Sequence, residues 1–351
     1  MTTFDATSPA GPGSAAPGAG ATPLDHTRRK RRRKLVLLAV LAVVVLVFAL
    51  MFRWYLSTRK PLSQLPGLNL TKLPHYEFSL YGVTHPLGVA VTPSGERIYV
   101  TESDGARLVR VYNRAGKQVG TLQPPKSTGP SHVPVYVAVD PTTRDVYVSD
   151  RPRQAVYVYD SKGVYRHAFA PRGNLGGGWQ PLGLAFDRHG DLYVTDVSGP
   201  SHRVLEFRPD GTLVRSLGAP GQLSFPNGVA VDSGGTVYVS DSNNGRLVIF
   251  DPAGRFVATI NRGVGQGDLG LPRGAAIDDR NHLYVVDTSA HVVKAYRTGS
   301  AKPLVPNYIG SFGEEGQLEG AFEYPNGVAV DSRGRIYVTD RENNRVQVWG
   351  Y

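Results

Sequence analysis

The sequence predicts an all-β fold, a six-bladed β-propeller, which follows a disordered tail and one transmembrane helix. Three observations support this prediction. Short apolar segments that begin with proline recur along the chain, each is followed by a segment ending in Tyr-Val-x-Asp or a close variant, and an uncharged apolar run lies upstream. The opening prolines lie 45 to 53 residues apart, at Pro86, Pro134, Pro181, Pro226, Pro272 and Pro325. That period is typical of propeller blades, and one repeat is too short to bury a core alone.

Each repeat is expected to form four antiparallel strands, as the fourth repeat illustrates. Valine, isoleucine and aromatic residues alternate with smaller or polar residues over residues 228–231, 237–240, 246–250 and 256–260. This alternation is typical of strands that are covered on at least one face. The segments between them contain Asp, Asn and Gly, which favour tight turns because they bond to nearby backbone or adopt positive φ. Four such strands form one propeller blade.

Two repeats share a longer pattern. In repeats four and six the second strand ends at the first residue of an Asp-x-x-Asn-x-Arg pattern. This pattern runs from Asp241 to Arg246 in repeat four and from Asp340 to Arg345 in repeat six. The sixth repeat also opens with Phe-x-x-Pro-x-Gly-Val-Ala-Val-Asp. The opening pattern and the Asp-x-x-Asn-x-Arg pattern resemble the first and second halves of an NHL repeat, and the resemblance covers residues 74–351. It implies a six-bladed propeller of the NHL type. The chain contains no Trp-Asp dipeptide, which disfavours the competing WD40 family.

Acidic residues recur at two positions of the repeat. The second strands end in Glu102, Asp150, Asp196, Asp241, Asp287 and Asp340. Arginines follow in four repeats, at Arg107, Arg203, Arg246 and Arg345, and we expect ion pairs that order these loops. A second series is expected to accept hydrogen bonds from the first turn of blades two to six, at Asp140, Asp187, Asp232, Asp278 and Asp331. Because these acids recur at the same positions of the repeat, we expect them to have a structural role. The second repeat departs from the pattern, with Tyr136 where the others have glycine.

The two ends of the propeller are expected to meet. The sixth repeat stops after its third strand, whereas residues 76–82 precede the first repeat and show strand alternation. An unpaired edge strand invites aggregation, so a closed ring must cover it. We therefore expect residues 76–82 to complete blade six beside residues 345–349.

The upstream region divides into three further segments. We predict a disordered cytoplasmic tail with a polybasic end at residues 1–34, a transmembrane signal-anchor helix at 35–55 and a linker at 56–73. The run 35–52 contains no charged side chain, and as a helix it is roughly 27 Å long, close to the hydrocarbon thickness of a bilayer. A cleaved signal peptide is the rival interpretation of this run, but its apolar part has only roughly 7–15 residues. Residues 28–34 are all basic, so the positive-inside rule predicts a cell-membrane protein with a cytoplasmic N-terminus and an extracytoplasmic propeller, in a bacterial envelope.

Composition excludes several kinds of chemistry. The formal net charge is +10, but the basic run beside the apolar segment explains much of it as a topology signal, so no nucleic-acid partner is predicted. The chain contains no cysteine, which excludes disulfides, thiolate catalysis and Cys-ligated zinc. No catalytic triad or phosphate-binding glycine loop is recognisable, so we predict no catalytic residue and no cofactor.

A propeller enzyme of the lactonase or lyase type, with a metal-dependent axial site, is the alternative function. The residues that follow the opening prolines include no histidine, which disfavours a zinc-dependent lyase of the kind that the NHL resemblance could imply. His85 and His132 precede the first two blades, and two imidazoles could share an ion. Backbone-bonded loop histidines are the simpler interpretation, so no metal ligands are predicted.

A binding surface is predicted on the rim of blades four to six. Polar residues follow the opening prolines of these blades, at Asn227, Arg273 and Asn326, and Phe225, Glu323 and Tyr324 lie beside them in sequence. Amides, a guanidinium and aromatic rings together suit the polar and apolar groups of a peptide or glycan. The alternative is that Asn after Pro only completes a turn. We predict a binding or assembly module for an envelope or extracellular protein, peptide or glycan.

Overall fold

The computed structural model describes residues 23–58, 73–126, 131–263, 265–299 and 304–351. They belong to two units that divide at Thr58. In the first unit, helix α1 spans Pro23–Thr58. Its segment Arg32–Leu50 has a mean hydropathy of 2.7, and the helix is long and apolar enough to cross a membrane.

The helix extends beyond the predicted boundaries of 35 and 55. It begins at Pro23, within the segment expected to be disordered, because proline suits the first helical turn and the lysines and arginines that follow are good helix formers. Residues 1–22 of the predicted tail and 59–72 of the predicted linker lie outside the described residues.

The second unit consists of six four-stranded antiparallel sheets. Blade one contains β2–β5, at Pro86–Val91, Arg97–Glu102, Val109–Asn113 and Gln118–Leu122. Blade two contains β6–β9, at Pro134–Val139, Val146–Asp150, Ala155–Tyr159 and Tyr165–Ala168. Blade three contains β10–β13, at Pro181–Phe186, Leu192–Asp196, Arg203–Phe207 and Leu213–Leu217. Blade four contains β14–β17, at Pro226–Val231, Val237–Asp241, Arg246–Phe250 and Phe256–Ile260. Blade five contains β18–β21, at Pro272–Ile277, His282–Asp287, Val292–Arg297 and Asn307–Phe312.

Blade six is closed by strands from both ends of the propeller. Its strands β22, β23 and β24 are Pro325–Val330, Ile336–Asp340 and Arg345–Gly350, and the outer strand is β1, His75–Leu80. Strand β1 pairs antiparallel with β24, with Tyr76 opposite Trp349 and Leu80 opposite Val346. The predicted closure of the ring is confirmed.

The ring is continuous at its centre. The first strand of each blade contacts the first strands of both neighbouring blades, and β2 of blade one contacts β22 of blade six. Buried side chains lie mainly between adjacent blades; one such cluster packs Tyr284 and Phe312 of blade five against Phe322 and Trp349 of blade six. Each of these interfaces is formed by two adjacent blades. Closing the ring therefore completes the core, because it forms the interface between blades six and one.

The repeated carboxylates order the loops, as predicted. The turn series accepts backbone hydrogen bonds; Asp331, for example, accepts from the amides of Arg333 and Arg335 at 3.0 Å. Among the acids that end the second strands, Asp196 pairs with Arg203 at 2.9 Å. The two NHL-like repeats pair Asp241 with Arg246 at 2.8 Å and Asp340 with Arg345 at 2.7 Å.

Blade one corrects one predicted pair. The partner of Glu102 is Arg110 on the adjacent strand, and Arg107 instead lies in the turn with φ of 51°. Strand pairing explains the change, because Arg110 lies opposite Val100 and therefore points to the same side of the sheet as Glu102. Lys294 takes the equivalent place in blade five and pairs with Asp287 at 3.1 Å.

Candidate ligand-binding site

A cavity of about 240 Å³ opens at one end of the propeller axis. Its wall contains residues of all six blades, which lie beside the opening prolines or directly after the acids that end the second strands. Antiparallel pairing brings these positions to the same end of every blade, which we call the top face. This axial cavity is lined by Leu87, Ser103, Val133, Val135, Tyr136, Arg151, Leu182, Phe225, Asn227, Arg273, Thr288, Tyr324, Asn326 and Arg341.

The three predicted polar residues lie together in this wall. Arg273 donates from Nη1 to Asn227 Oδ1 at 3.0 Å, across the boundary between blades five and four. Asn326 donates from Nδ2 to the carbonyl oxygen of Leu87 at 2.9 Å, across the boundary between blades six and one. Each bond joins two blades, so the polar rim is held by the closed ring.

Asn227 is fixed in one orientation by its amide group. Nδ2 donates to the carbonyl oxygen of Phe225 at 3.1 Å and to Ser242 Oγ at 2.8 Å. Both amide hydrogens are therefore used, and Oδ1 is left to accept from Arg273. Asn227 lies within strand β14, and its side chain also positions the guanidinium of Arg273.

Aromatic residues border the cavity in an unusual backbone conformation. Phe225 and Tyr324 precede the opening prolines of blades four and six, and both have φ of 51°, which is an outlier for a bulky residue. Histidines of the preceding blades support them, because Nδ1 of His202 accepts the Phe225 amide at 2.8 Å and Nδ1 of His291 accepts the Tyr324 amide at 3.3 Å. The Tyr324 side chain is 48% exposed at the rim.

Glu323 is the one predicted rim residue that does not line the axial cavity. Its amide donates to Asp340 Oδ1 at 2.7 Å, and its carboxylate lies 3.4 Å from the side-chain nitrogen of Gln317. The side chain therefore points into the loop before blade six rather than toward the axis.

Tyr136 forms the floor of the cavity, and the prediction did not include it. In the other five blades its position is glycine, and those glycines pack against backbone of the next blade. The tyrosine side chain is 7% exposed and lies beside Asn326, with 3.5 Å between the two polar atoms. Burial raises the pKa of Tyr136 to about 12, although Arg273 and the bond from Asn326 oppose this shift. The floor is therefore neutral at physiological pH.

Arg151 and Arg341 were also missed. Each directly follows the acid that ends a second strand, at Asp150 and Asp340, a position that reaches the axis in several blades. The repeat pattern could have identified both arginines, because the residue after each such acid occupies the same place on the top face.

The two histidines considered for a metal contact different carboxylates. Nδ1 of His132 lies 2.5 Å from Asp150 Oδ2, whereas His85 lies 3.5 Å from Asp104 and 3.4 Å from Glu342. Across the described parts of the chain, no group of three or more His, Cys, Asp or Glu side chains is arranged to hold a metal ion. The axial cavity offers hydrogen-bond donors and aromatic surface.

Comparison with known proteins places the repeats in a family. The NHL repeat model matches residues 223–250 and 322–349, which are parts of blades four and six. The chain is 29% identical over 159 residues to Protein brain tumor of Drosophila melanogaster, covering 45% of this chain and 15% of that protein. It is 40% identical over 129 residues to the B-box type zinc finger protein ncl-1 of Caenorhabditis elegans, covering 37% and 14%. The chain thus spans only a small part of these relatives.

Similarity also extends to propeller lyases. A probable peptidyl-alpha-hydroxyglycine alpha-amidating lyase, pgal-1 of Caenorhabditis elegans, is 39% identical over 92 residues, covering 24% of this chain and 26% of that protein. A solved streptogramin B lyase has a TM-score of 0.55 at 13% identity and covers 79% of this chain and 97% of its own. That likeness concerns the fold alone. This chain carries NHL repeats and forms a six-bladed β-propeller.

Proposed function

We propose that this protein is a membrane-anchored binding module whose extracytoplasmic propeller binds a protein or peptide of the cell envelope at the axial cavity. The observation that carries the proposal is the convergence of Asn227, Arg273 and Asn326 on one cavity, each held by hydrogen bonds between or within blades. Polar groups that are already oriented bind a ligand at a lower entropic cost. The NHL repeats and the similarity to brain tumor and ncl-1 support a protein partner.

The anchor part of the proposal rests on the helix and its charge distribution. The segment Arg32–Leu50 has the length and hydropathy of a membrane span, and a run of seven basic residues, 28–34, overlaps its N-terminal end. Such a bias retains the N-terminus in the cytoplasm and leaves the propeller outside. The proposed ligand is therefore a protein or peptide of the cell envelope.

A photocrosslinking amino acid at position 324 in the full-length protein tests the binding face in intact cells. Tyr324 is the exposed aromatic residue of the rim, so a defined crosslinked band is expected there. Arg333, in the turn between β22 and β23, lies at the opposite end of blade six and is the control position. The Asn227→Ala, Arg273→Ala, Asn326→Ala triple variant should lose the band. Equal bands from both positions, or a band that survives in the folded triple variant, would reject the axial cavity as the binding site.

A propeller lyase is the second candidate, favoured by the similarity to the amidating lyase. This activity would require a metal-dependent axial site. Elemental analysis of the purified full-length protein separates the two functions. A stoichiometric ion that chelators remove would favour the lyase, whereas protein that binds its crosslinked partner equally well after chelation would favour the binding module.

A further inference from the structure

The arginines of the axial cavity differ from the arginines that form ion pairs within the blades. Arg203 and Arg345 each pair with a buried carboxylate within 3.0 Å. By contrast, no carboxylate in the described part of the chain lies within 4.0 Å of the Arg151 or Arg273 guanidinium. The wall of the cavity includes no aspartate or glutamate. The propeller therefore exposes positive charge at its axis without a counterion of its own.

Both guanidinium groups are held in place by neutral partners. Arg273 is oriented by Asn227 Oδ1, and the neutral amide leaves its charge uncompensated. The Arg151 guanidinium carbon lies 5.4 Å from the centre of the Phe225 ring, a cation–π contact that positions it beside the same rim. Arginine groups fixed in this way present N–H donors in a planar array that matches carboxylate and phosphate oxygens.

The third arginine is partly neutralised at the outer rim. Arg341 lies 3.4 Å from Glu342, which also approaches His85 at 3.4 Å. The Arg341 and Glu342 side chains are 46% and 33% exposed, so solvent screens this pair and it contributes little. The Glu342 side chain itself does not line the axial cavity.

The cavity also limits the size of what can enter. Its volume of about 240 Å³ is below the roughly 300–1,000 Å³ of pockets that enclose drug-sized ligands. The neutral Tyr136 closes it below, and Leu87, Val135 and Leu182 supply apolar wall. A single acidic side chain or chain terminus fits this combination of charge, size and apolar surface.

From this arrangement we infer that the axial cavity binds one anionic group, a carboxylate or phosphate, presented by a peptide segment of the partner, with Arg273 and Arg151 as its ligating side chains. The inference rests on the proposed binding function and specifies its ligand. Tyr324 and Phe225 would contact the peptide on either side of the anion.

Three capped pentapeptides test this assignment with the full-length protein in detergent micelles. They are acetyl-Ala-Ala-X-Ala-Ala-amide with X as glutamate, phosphoserine or glutamine, and a fluorophore on the acetyl end allows titration by anisotropy. Tighter binding of the glutamate or the phosphoserine peptide than of the glutamine peptide supports an anion site, and the stronger of the two identifies the group. For that peptide, Arg273→Gln and Arg151→Gln should each raise the dissociation constant at least about ten-fold. Arg333→Gln removes the same charge from the opposite face and should leave it unchanged.

Two results would overturn the anion site. Equal binding of all three peptides would do so, as would equal losses from Arg273→Gln and Arg333→Gln, because the effect would then reflect net charge alone. Unchanged melting temperatures of the variants ensure that lost binding is not lost folding. If crosslinking from position 324 still requires the rim while the three peptides bind equally, the proposed binding function stands and the anionic ligand is wrong.

Discussion

Gly183 lies where the first strand of blade three meets the first strand of blade four. A Cβ added there would overlap the carbonyl oxygen of Asn227, which is backbone and cannot rotate away. Gly183→Ala should therefore lower the free energy of unfolding by about 1–3 kcal/mol, the usual cost of overpacking. Gly120→Ala, on the exposed outer strand β5, meets no atom within 4 Å and is the matched control. Chemical denaturation of both variants checks the difference, and equal stability would contradict the packing at the axis.

Ser149 shows how hydroxyl groups connect neighbouring blades. Its Oγ accepts the Tyr136 amide at 3.0 Å and donates to the Leu182 carbonyl oxygen at 2.7 Å, which joins blades two and three. Ser149→Ala should cost about 1–3 kcal/mol because it leaves buried backbone groups without a partner. Ser240 has the equivalent place in blade four, but its buried Oγ has no hydrogen-bond partner among the described residues. Ser240→Ala should change thermal stability much less, and a larger loss there than at Ser149 would refute this account.

Strand β1 closes the ring, and it is the element whose loss should lower the stability of the propeller most. Tyr76 packs edge-on against Trp349 with 6.1 Å between ring centres, and the side chains of Tyr76 and Leu80 are buried. Replacing His75–Leu80 with a Gly-Ser segment of equal length removes a strand ladder and this apolar face. We expect a loss of several kcal/mol and self-association through the exposed edge of β24. Thermal melting with light scattering measures both effects, and a monomeric variant that melts like the native protein would exclude this role for β1.

The carboxylate that ends β19 should make blade five sensitive to acid. Burial raises the pKa of Asp287, but hydrogen bonds from the Leu271 and Gly270 amides and the ammonium of Lys294 outweigh this effect, so the pKa lies below the ordinary value of an aspartate. A lowered folded-state pKa stabilises the protein above the unfolded-state value, and this contribution is lost as pH falls through the folded-state value. Asp287→Asn should be less stable at pH 7 by about 3–5 kcal/mol, because Lys294 loses its partner.

The pH dependence of the same variant provides a second measurement. The difference in unfolding free energy between native protein and Asp287→Asn should be constant at neutral pH and shrink below about pH 4, as Asp287 becomes protonated. Urea denaturation at several pH values measures it. A difference that grows on acidification would mean that the sign of the pKa shift is wrong.

Membrane topology is a property of the whole chain. If the propeller is extracytoplasmic, protease added to cells with a permeabilised outer envelope should digest it and leave the cytoplasmic tail intact. Digestion of the tail alone would show the opposite orientation. Replacing the basic residues 28–34 with glutamine should produce mixed orientations, because the charge bias determines topology. Propeller melting should stay unchanged, since the charge bias and the blade packing are separate properties.

The sequence alone determined the number of blades, their strands and the closure of the ring. These features depend on local signals: strand alternation, turn residues and the opening prolines recur in every repeat and need no knowledge of distant contacts. The same signals located Asn227, Arg273 and Asn326 on the top face. They also indicated that the segment containing β1 belongs beside the third strand of blade six, which the pairing of Tyr76 with Trp349 confirms.

Only the tertiary structure decided which side chains meet. Arg110 rather than Arg107 pairs with Glu102 because the strand register places it on the correct side of the sheet. Tyr136 became the floor of a cavity because five other blades have glycine at its position, which leaves room for one large side chain at the axis. Arg151 faces this cavity only because six blades close into a ring around it. Such convergence depends on distances between residues that are far apart in the chain, and a repeat pattern does not encode those distances.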